Sequence, residues 1–207
     1  MKILNLYAGI GGNRKLWGDE HEITAVENVP EIAKIYHGFF PKDKVIVTDA
    51  HEYLLQYFKE FDFIWSSPPC PTHSRMRKVF AFAKDDVRRR PPEYPNMMLY
   101  QEVIFLKHFF KGKWVVENVI PYYKPLISGQ LSGRHLFWCN FIISNKKEKG
   151  EGLEKSNIEF KQNLKGFDLS KLKDVGFRKD QILNNCVNSE LGLHILKMAF
   201  KDNQQIL

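Results

Sequence analysis

Short apolar runs alternate with segments of helical periodicity over the first two-thirds of the chain, and this alternation constrains the fold most strongly. The runs predicted as strands are Lys2–Tyr7, Glu22–Glu27, Val45–Thr48, Phe61–Ser66, Lys113–Val119 and Leu136–Ile143. The segments predicted as helices are Gly11–Asp19, Pro30–Phe39, His51–Lys59, Asn96–Phe110 and Leu191–Phe200. This alternation predicts an α/β fold, a mostly parallel sheet with helices on both faces. Ligands of such sheets bind beyond the carboxyl ends of the strands.

Composition excludes several classes of protein. With 207 residues, of which 43% are hydrophobic and 27% charged, the chain suits one globular domain rather than a disordered segment. No apolar run approaches the roughly 20 residues of a membrane span, and Gly9 comes too early for a signal-peptide core. We therefore expect a cytoplasmic protein without a membrane partner. Three cysteines without metal-like spacing predict neither a disulfide scaffold nor a metal site.

The first three strand ends predict an adenosine ligand. Ala8–Gly12 forms a glycine-rich turn that allows a ligand to approach the backbone closely, but Arg14 stands where the dinucleotide fingerprint needs glycine. Glu27 could accept hydrogen bonds from both ribose hydroxyls, or only favour the N-terminus of the next helix. Asp49 could receive an adenine amino group, or only cap a helix.

The fourth and fifth strand ends predict covalent catalysis. Two prolines, Pro68 and Pro69, stiffen the backbone just before the Cys70 thiol, which is typical of a nucleophile held on a rigid loop. Glu117 follows three apolar or aromatic residues, so desolvation could let its carboxyl group hold a proton near neutrality; the alternative is a structural carboxylate paired with an arginine. A thiol and an acid facing one pocket suit attack on an electron-poor ring.

These ordered motifs resemble those of the cytosine-C5 DNA methyltransferases. They are Gly9-Ile10-Gly11-Gly12, Glu27-Asn28, Asp49, Pro68-Pro69-Cys70 and Glu117-Asn118-Val119, in family order from residue 3 to about residue 143. Near the C-terminus, Asn184-Asn185-Cys186-Val187 resembles the family's Gly-Asn-x-Val element, with Asn184 replacing the glycine and Asn188 the usual proline. The resemblance implies a Rossmann-like class I methyltransferase fold and S-adenosylmethionine as cofactor. The cofactor residues that it implies are Tyr7, Ala8, Gly9, Gly11, Gly12, Glu27, Asn28, Asp49, Ala50, Pro68 and Asn185.

The resemblance also implies a mechanism. Cys70 would attack C6 of a cytosine flipped out of the duplex, while Glu117 protonates or hydrogen-bonds N3, and the activated C5 would take the methyl group. In the family, an arginine before a late strand contacts the flipped base. Arg134 is the candidate here, although the usual Gln-x-Arg-x-Arg pattern is incomplete and the alternative is a plain surface arginine.

The partner implied by the resemblance is double-stranded DNA. The formal net charge is +7 and the pI about 9.2, which permits a polyanionic partner. A basic segment follows the nucleophile, where the family carries a mobile loop that closes over DNA. The residues predicted to contact phosphates are Arg75, Arg77, Lys78, Arg88, Arg89 and Arg90; the alternative is a solvated loop.

Two departures from the family pattern stand out. Ser66-Ser67 replaces the Gly-Gly that usually precedes Pro-Pro-Cys, and the chain between Ile143 and Asn184 is short for a target-recognition domain. We predict a catalytic domain over 1–143, a reduced target-recognition region or connection over 144–180, and a C-terminal helix over 181–207 that completes the catalytic domain. Sequence recognition would then be reduced, moved into residues 72–95, or supplied by a protein partner.

Two other functions are compatible with the sequence. One is an RNA cytosine-C5 methyltransferase with the same chemistry, as in the branch of the family that acts on tRNA. The other is a catalytically silent module that binds S-adenosylmethionine or DNA, although both Cys70 and Glu117 are present. Restriction-modification, phage self-protection and regulation are all open as biological roles.

Overall fold

A computed structural model describes residues 1–82, 91–146, 157–170 and 178–201. The strands are β1 (Lys2–Leu6), β2 (Glu22–Val26), β3 (Lys44–Ile46), β4 (Phe63–Ser66), β5 (Lys113–Val119), β6 (Gln130–Ser132) and β7 (His135–Cys139). The helices are α1 (Pro30–Phe39), α2 (Ala50–Tyr57), α3 (Arg75–Phe82), α4 (Met98–Phe109), α5 (Ile158–Lys165), α6 (Lys179–Asn184) and α7 (Ser189–Ala199). Short 3₁₀ turns lie at Arg14–Leu16 and Phe58–Glu60.

These strands form one mixed sheet in the order β3-β2-β1-β4-β5-β7-β6. The strands β1 to β5 pair in parallel, whereas β7 runs antiparallel to both β5 and β6. Apolar side chains on one face pack against α2 and α4, and those on the other face pack against α7 and Trp17. The predicted α/β fold, with a mostly parallel sheet covered on both faces, is confirmed.

The helix predicted over Gly11–Asp19 was wrong, because only the 3₁₀ turn Arg14–Leu16 forms there. Gly11 has a φ of +85°, a left-handed conformation that cannot start a right-handed helix. A Cβ atom on Gly11 would also collide with the rings of Phe40 and Tyr36. The glycine turn is therefore shaped by its close packing against α1.

Helix α3 occupies part of the segment that the resemblance predicted as a mobile loop. The Ser74 hydroxyl accepts a hydrogen bond from the Met76 amide at 3.2 Å, which satisfies a donor of the first turn. Arg75–Phe82 contains neither glycine nor proline, so nothing in its sequence interrupts the helix. The sequence analysis also missed β6, α5 and α6.

The predicted target-recognition region, 144–180, is described in part. Helix α5 is capped by the Asn157 side chain, which accepts a hydrogen bond from a first-turn amide, and it ends at Gly166 with a φ of +71°. Phe167 and Leu169 then lie in a buried cluster with residues of the glycine turn, α1 and α6. The described part of the region therefore packs beside the glycine turn, and its boundaries remain predictions. None of the helices in the described ranges is long and apolar enough to cross a membrane.

A buried ion pair connects the 3₁₀ turn that follows the glycine turn to Asp43, between α1 and β3. Arg14 donates from Nε and Nη2 to the Asp43 carboxylate at 2.8 and 3.1 Å, and both side chains are only 3% exposed. The Tyr36 hydroxyl donates to the same carboxylate at 2.7 Å. Since a buried charge is stable only when it is paired and hydrogen-bonded, Asp43 depends on both partners.

We expect Asp43→Ala to lower the free energy of unfolding by about 3–5 kcal/mol, because it removes the buried carboxylate and leaves Arg14 only a 3.4 Å ion pair with the exposed Asp19. Urea denaturation followed by circular dichroism measures this loss. The matched control is Lys42→Ala, which removes an ion pair with Asp19 whose side chains are 74% and 63% exposed. That variant should lose less than about 1 kcal/mol. Equal losses in the two variants would contradict the assigned role of the buried pair.

Candidate active site

The pairing of the central strands brings the predicted site residues to one edge of the sheet. Leu6 of β1 pairs with Ser66 of β4, and Ser66 pairs with Val116 of β5. The glycine turn, the loop leading to Cys70, and Glu117 therefore follow one another along the carboxyl edge. This is the edge at which parallel α/β sheets bind their ligands.

A cavity opens beside the glycine turn and is closed on its far side by α6 and the residues that follow it. Its lining comprises Tyr7, Ala8, Gly9, Ile10, Gly12, Asn13, Glu27, Val29, Ile32, Ser67, Gln181, Ile182, Asn185, Cys186 and Val187. Six of the predicted cofactor residues, Tyr7, Ala8, Gly9, Gly12, Glu27 and Asn185, are among them. The structure thus brings residues from both ends of the chain to one cavity.

Five predicted cofactor residues lie outside this lining. Gly11 packs against α1, and Ala50 lies in the core at 2% exposure. Asn28 and Asp49 are exposed, and Asp49 caps α2 by accepting a hydrogen bond from the Glu52 amide at 2.9 Å. The capping role that the sequence left open for Asp49 is therefore present in the structure. Pro68, the fifth residue, is buried in the loop before Cys70.

Glu27 is the charged group at the cavity, and main-chain amides fix its position. One carboxylate oxygen accepts from the Gly9 amide at 3.0 Å, and the other accepts from the Val29 amide at 3.1 Å. Each carboxylate oxygen has a second acceptor site, so Glu27 can still accept hydrogen bonds from a ligand. Nothing lies within 4 Å of the position where Gly9 would carry a Cβ atom, which leaves room for close approach to its backbone.

Asn118 holds the nucleophile loop against β5. Its side-chain amide donates to the Pro68 carbonyl at 2.9 Å, and its oxygen accepts from the Val119 amide at 3.0 Å. After the loop, the Cys70 carbonyl accepts from the amides of His73 and Ser74, which closes a tight turn. Cys70 is therefore held from both sides at the end of β4.

Cys70 and Glu117 interact electrostatically, as expected for neighbours at adjacent strand ends. Burial and, to a smaller extent, the negative charge of Glu117 together raise the pKa of the Cys70 thiol to about 11. The thiol is thus protonated at neutral pH in the free protein. Any reaction through the Cys70 sulfur requires an acceptor for this proton.

Glu117 lies beside His135, a residue that the sequence analysis missed. The His135 Nε2 atom is 3.6 Å from Glu117 Oε1. Along the antiparallel pair, His135 stands opposite Val119, so it is a diagonal neighbour of Glu117 on the same face. Arg134, the predicted base contact, is instead exposed in the turn between β6 and β7. The sequence does not show that β7 runs antiparallel to β5, and this direction is what brings His135 beside Glu117.

The predicted phosphate contacts divide into three groups. Arg75 and Lys78 are exposed on α3, on the chain just after the nucleophile loop. Arg77 instead forms an ion pair with Glu93 at 2.5 Å and donates to the Pro91 carbonyl at 3.1 Å. It joins the beginning and the end of the basic segment, a role that the sequence did not predict. Arg88, Arg89 and Arg90 lie outside the described residues.

The family profile described as C-5 cytosine-specific DNA methylase matches residues 1–119, which is more than half of the chain. The chain belongs to this family. The matched range includes the glycine turn, Glu27, Cys70 and Glu117, so the family match and the geometry of the site concern the same residues. Among curated proteins, none matches the sequence of this methylase.

Several solved structures are similar to the methylase. A DNMT2 variant from Spodoptera frugiperda is 20% identical, with a TM-score of 0.43 over 72% of this chain and 53% of that chain. A putative methyltransferase from Escherichia coli is 13% identical, with a TM-score of 0.42 over 67% and 73%. A methyltransferase from Entamoeba histolytica is 14% identical, with a TM-score of 0.41 over 77% and 62%. Since these TM-scores are below 0.5, the fold assignment depends on the strand order and the family match.

The methylase has the class I methyltransferase fold and uses S-adenosylmethionine to methylate cytosine. The chemistry of the cavity fits this cofactor. A carboxylate with free acceptor sites suits ribose hydroxyls, and apolar side chains such as Ile32 and Ile182 suit a base. The open space at Gly9 suits close contact between a ligand and the backbone.

We expect iodoacetamide to alkylate Cys70 slowly at pH 7 and faster as the pH increases toward 11, because only the thiolate reacts. Glu117→Gln removes the negative charge that raises the pKa of Cys70, so alkylation at pH 8 should become faster. Mass spectrometry of the Cys70 peptide measures the rate. Cys139, whose pKa burial raises to about 12, is an internal control that Glu117→Gln should leave unchanged. An unchanged or slower Cys70 rate would refute the electrostatic contact.

Proposed function

We propose that the methylase modifies C5 of cytosine in double-stranded DNA through a covalent bond between Cys70 and C6 of a flipped base. The supporting observation is the electrostatic contact between Cys70 and Glu117 at adjacent strand ends. A thiol and a carboxyl group in this relation can exchange a proton and then act on two positions of one ring.

The first step proposed is a proton transfer from the Cys70 sulfur to Glu117. It breaks the S–H bond and forms an O–H bond, so the total charge of the pair is unchanged. The sulfur becomes the nucleophile, and the negative charge that opposed its ionisation disappears. Activation of the nucleophile therefore also creates the acid.

The second step is attack on the cytosine ring. The Cys70 thiolate forms a bond to C6 while Glu117 returns its proton to N3, which turns the ring into an enamine with an electron-rich C5. After C5 has been methylated, the C5 proton passes to solvent water while the C6–S bond breaks, which expels the Cys70 thiolate and restores the double bond. The N3 proton then returns through Glu117 to the Cys70 sulfur. The His135 imidazole lies 3.6 Å from the carboxyl group of Glu117 that gains and loses this proton.

S-adenosylmethionine supplies an electrophilic methyl group when it is bound. Glu27 would accept hydrogen bonds from its ribose, and the residues from Tyr7 to Gly9 would line its binding site together with Asn185. Roles in cofactor binding for Gly11, Asn28, Asp49, Ala50 and Pro68 remain predictions.

DNA binding is supported by the family match and by the charge of α3. Arg75 and Lys78 are exposed on this helix, and neutralisation of phosphates by such side chains makes binding dependent on salt. On the same helix Met76, Val79 and Phe82 are 50%, 57% and 74% exposed. A basic helix with exposed apolar side chains, placed just after the nucleophile, suits contact with a duplex from which one base has been flipped out. A base contact by Arg134 remains a prediction.

We expect duplex DNA with 5-fluorocytosine at the target position to form a stable adduct with the methylase, because fluorine cannot leave C5 as a proton does. Cys70→Ala should abolish the adduct, measured by denaturing electrophoresis. Cys139→Ala, a change to another half-buried cysteine, should leave the yield unchanged. An undiminished adduct in the Cys70 variant would exclude Cys70 as the nucleophile.

The same experiment separates DNA from RNA. A single-stranded or hairpin RNA with 5-fluorocytosine should give no adduct under conditions where the DNA duplex does. Trapping of RNA alone would favour the RNA methyltransferase, whereas binding of S-adenosylmethionine without any adduct would favour a silent module.

We expect a short recognition sequence of about two to four base pairs, read mainly by the segment 72–95. One well-placed pair of hydrogen bonds to a base edge supplies about 1–3 kcal/mol of discrimination, so few side chains suffice for a short site. The structure limits which residues can be replaced to test this expectation. Phe167, just after α5, packs in one buried cluster with Ile10 and Ile182 of the cofactor cavity, so α5 is best left unchanged. Residues 147–156, which lie outside the described part of the chain, can be replaced by a neutral linker without changing α5.

Bisulfite sequencing of DNA from cells that express this linker variant gives the methylation context. The context should be unchanged if the segment 72–95 reads the sequence. A changed context with methylation retained would assign recognition to residues 147–156. Specificity supplied by a protein partner remains a prediction, and it would appear as a context that purified methylase fails to reproduce on naked DNA.

A further inference from the structure

A fully buried carboxylate connects the cofactor cavity to the base of the nucleophile loop. Glu102, in the middle of α4, has no exposed surface and accepts hydrogen bonds from two hydroxyl groups. The Tyr7 hydroxyl donates to Oε1 at 2.6 Å, and the Ser66 hydroxyl donates to Oε2 at 2.5 Å. His51, in the first turn of α2, places Nδ1 3.3 Å from Oε1. Four elements thus meet at one side chain.

On the cofactor side, Glu102 holds a tyrosine whose backbone is unusual. Tyr7 borders the cavity and has a φ of +54°, the only positive φ of a non-glycine residue in the described ranges. A bulky residue in this region is strained and persists only where its surroundings hold it. Burial and Glu102 both raise the pKa of the Tyr7 phenol, so it remains a hydrogen-bond donor at neutral pH.

This backbone conformation determines where the cavity-lining amides point. The amide of Ala8, directly after Tyr7, donates to the Val26 carbonyl at 3.0 Å, and the next amide, that of Gly9, donates to Glu27. A rotation of Tyr7 to negative φ would reorient this part of the turn. The hydrogen bond to Glu102 therefore stabilises the form of the turn that lines the cavity.

On the nucleophile side, Glu102 holds the last residue of β4. Ser66 is fully buried, and three residues separate it from Cys70. The next hydroxyl, that of Ser67, accepts a hydrogen bond from the Trp65 indole at 2.8 Å. The two serines that replace the usual glycines thus each have a hydrogen-bond partner, and the partner of Ser66 is the same carboxylate that holds Tyr7.

We propose that Glu102 is a positioning residue shared by the cofactor cavity and the nucleophile loop, holding Tyr7 on one side and Ser66 on the other. It touches neither the cavity nor Cys70, so it acts through these two hydroxyl groups. The part that concerns Cys70 rests on the proposed function, whereas the part that concerns the cavity rests on the cofactor alone.

Variants of the two hydroxyl groups test each side separately. Tyr7→Phe should weaken binding of S-adenosylhomocysteine about tenfold, the equivalent of one net hydrogen bond, without changing the alkylation rate of Cys70. Ser66→Ala should leave this affinity unchanged but increase the alkylation rate several-fold, because a released loop exposes the thiol. Calorimetry and mass spectrometry with iodoacetamide measure the two effects. Tyr57→Phe, at a tyrosine that is 38% exposed, is the control and should change neither.

A double-mutant cycle then tests whether both effects pass through Glu102. Glu102→Leu alone should show the weaker affinity and the faster alkylation together. In that background, Tyr7→Phe should change the affinity by less than twofold, since its partner is already absent. Glu102→Gln, which can still pair with both hydroxyl groups, should keep the affinity within threefold of the unmodified protein. If the leucine variant does not fold, Tyr7→Phe and Ser66→Ala supply the test because they keep Glu102, and an unchanged affinity in the first or an unchanged alkylation rate in the second would overturn the proposal.

A purely structural Glu102 would give a different result. Glu102→Leu would lower the melting temperature while the folded protein kept its affinity and its Cys70 alkylation rate, and this outcome would overturn the proposal. Fully additive effects of Tyr7→Phe and Glu102→Leu on affinity would also overturn it. Because neither measurement contains nucleic acid, failure of the fluorocytosine experiment would leave these results interpretable.

Discussion

The site of this methylase depends on the parallel register of β1, β4 and β5. Pairing of Leu6 with Ser66, and of Ser66 with Val116, ends the three strands at the same level. A shift of β5 by one residue would turn Glu117 to the opposite face of the sheet, away from Cys70. The catalytic pair is thus a consequence of backbone hydrogen bonding in strands that are buried on both faces, where the register is strongly specified.

This dependence explains why so much of the site could be predicted from the sequence. Strands covered on both faces appear as continuous apolar runs, and a polar residue directly after such a run must lie at the ligand edge. Glu27 follows this rule directly, Cys70 comes at the end of the short loop after β4, and Glu117 lies near the carboxyl end of β5 itself. Glu27 lines the cavity and Cys70 interacts with Glu117, so the geometry agrees with this part of the prediction. The glycine turn was located by the same reasoning, but the helix predicted to follow it does not form.

The remaining features depend on contacts between distant segments that no local pattern encodes. Glu102 lies within a helical pattern, and only the packing of α4 on the sheet shows that its carboxylate is buried between Tyr7 and Ser66. His135 faces Glu117 because β7 pairs with β5 in the antiparallel direction, which the apolar pattern of the strand does not encode. Arg77 resembles its basic neighbours in the sequence, yet an ion pair with Glu93 distinguishes it.

The raised pKa of Cys70 is consistent with a nucleophile that is activated only when its substrate arrives. A cysteine ionised at neutral pH would be open to alkylation and oxidation whenever the cavity was accessible. Burial and the Glu117 charge keep the sulfur protonated in the free protein. In the proposed mechanism, a flipped cytosine offers N3 as the acceptor of the thiol proton while the adduct exists, with Glu117 as the carrier. The carboxylate that suppresses the thiolate is then also the group whose protonation releases it, so reactivity of the sulfur is tied to occupation of the pocket by a base.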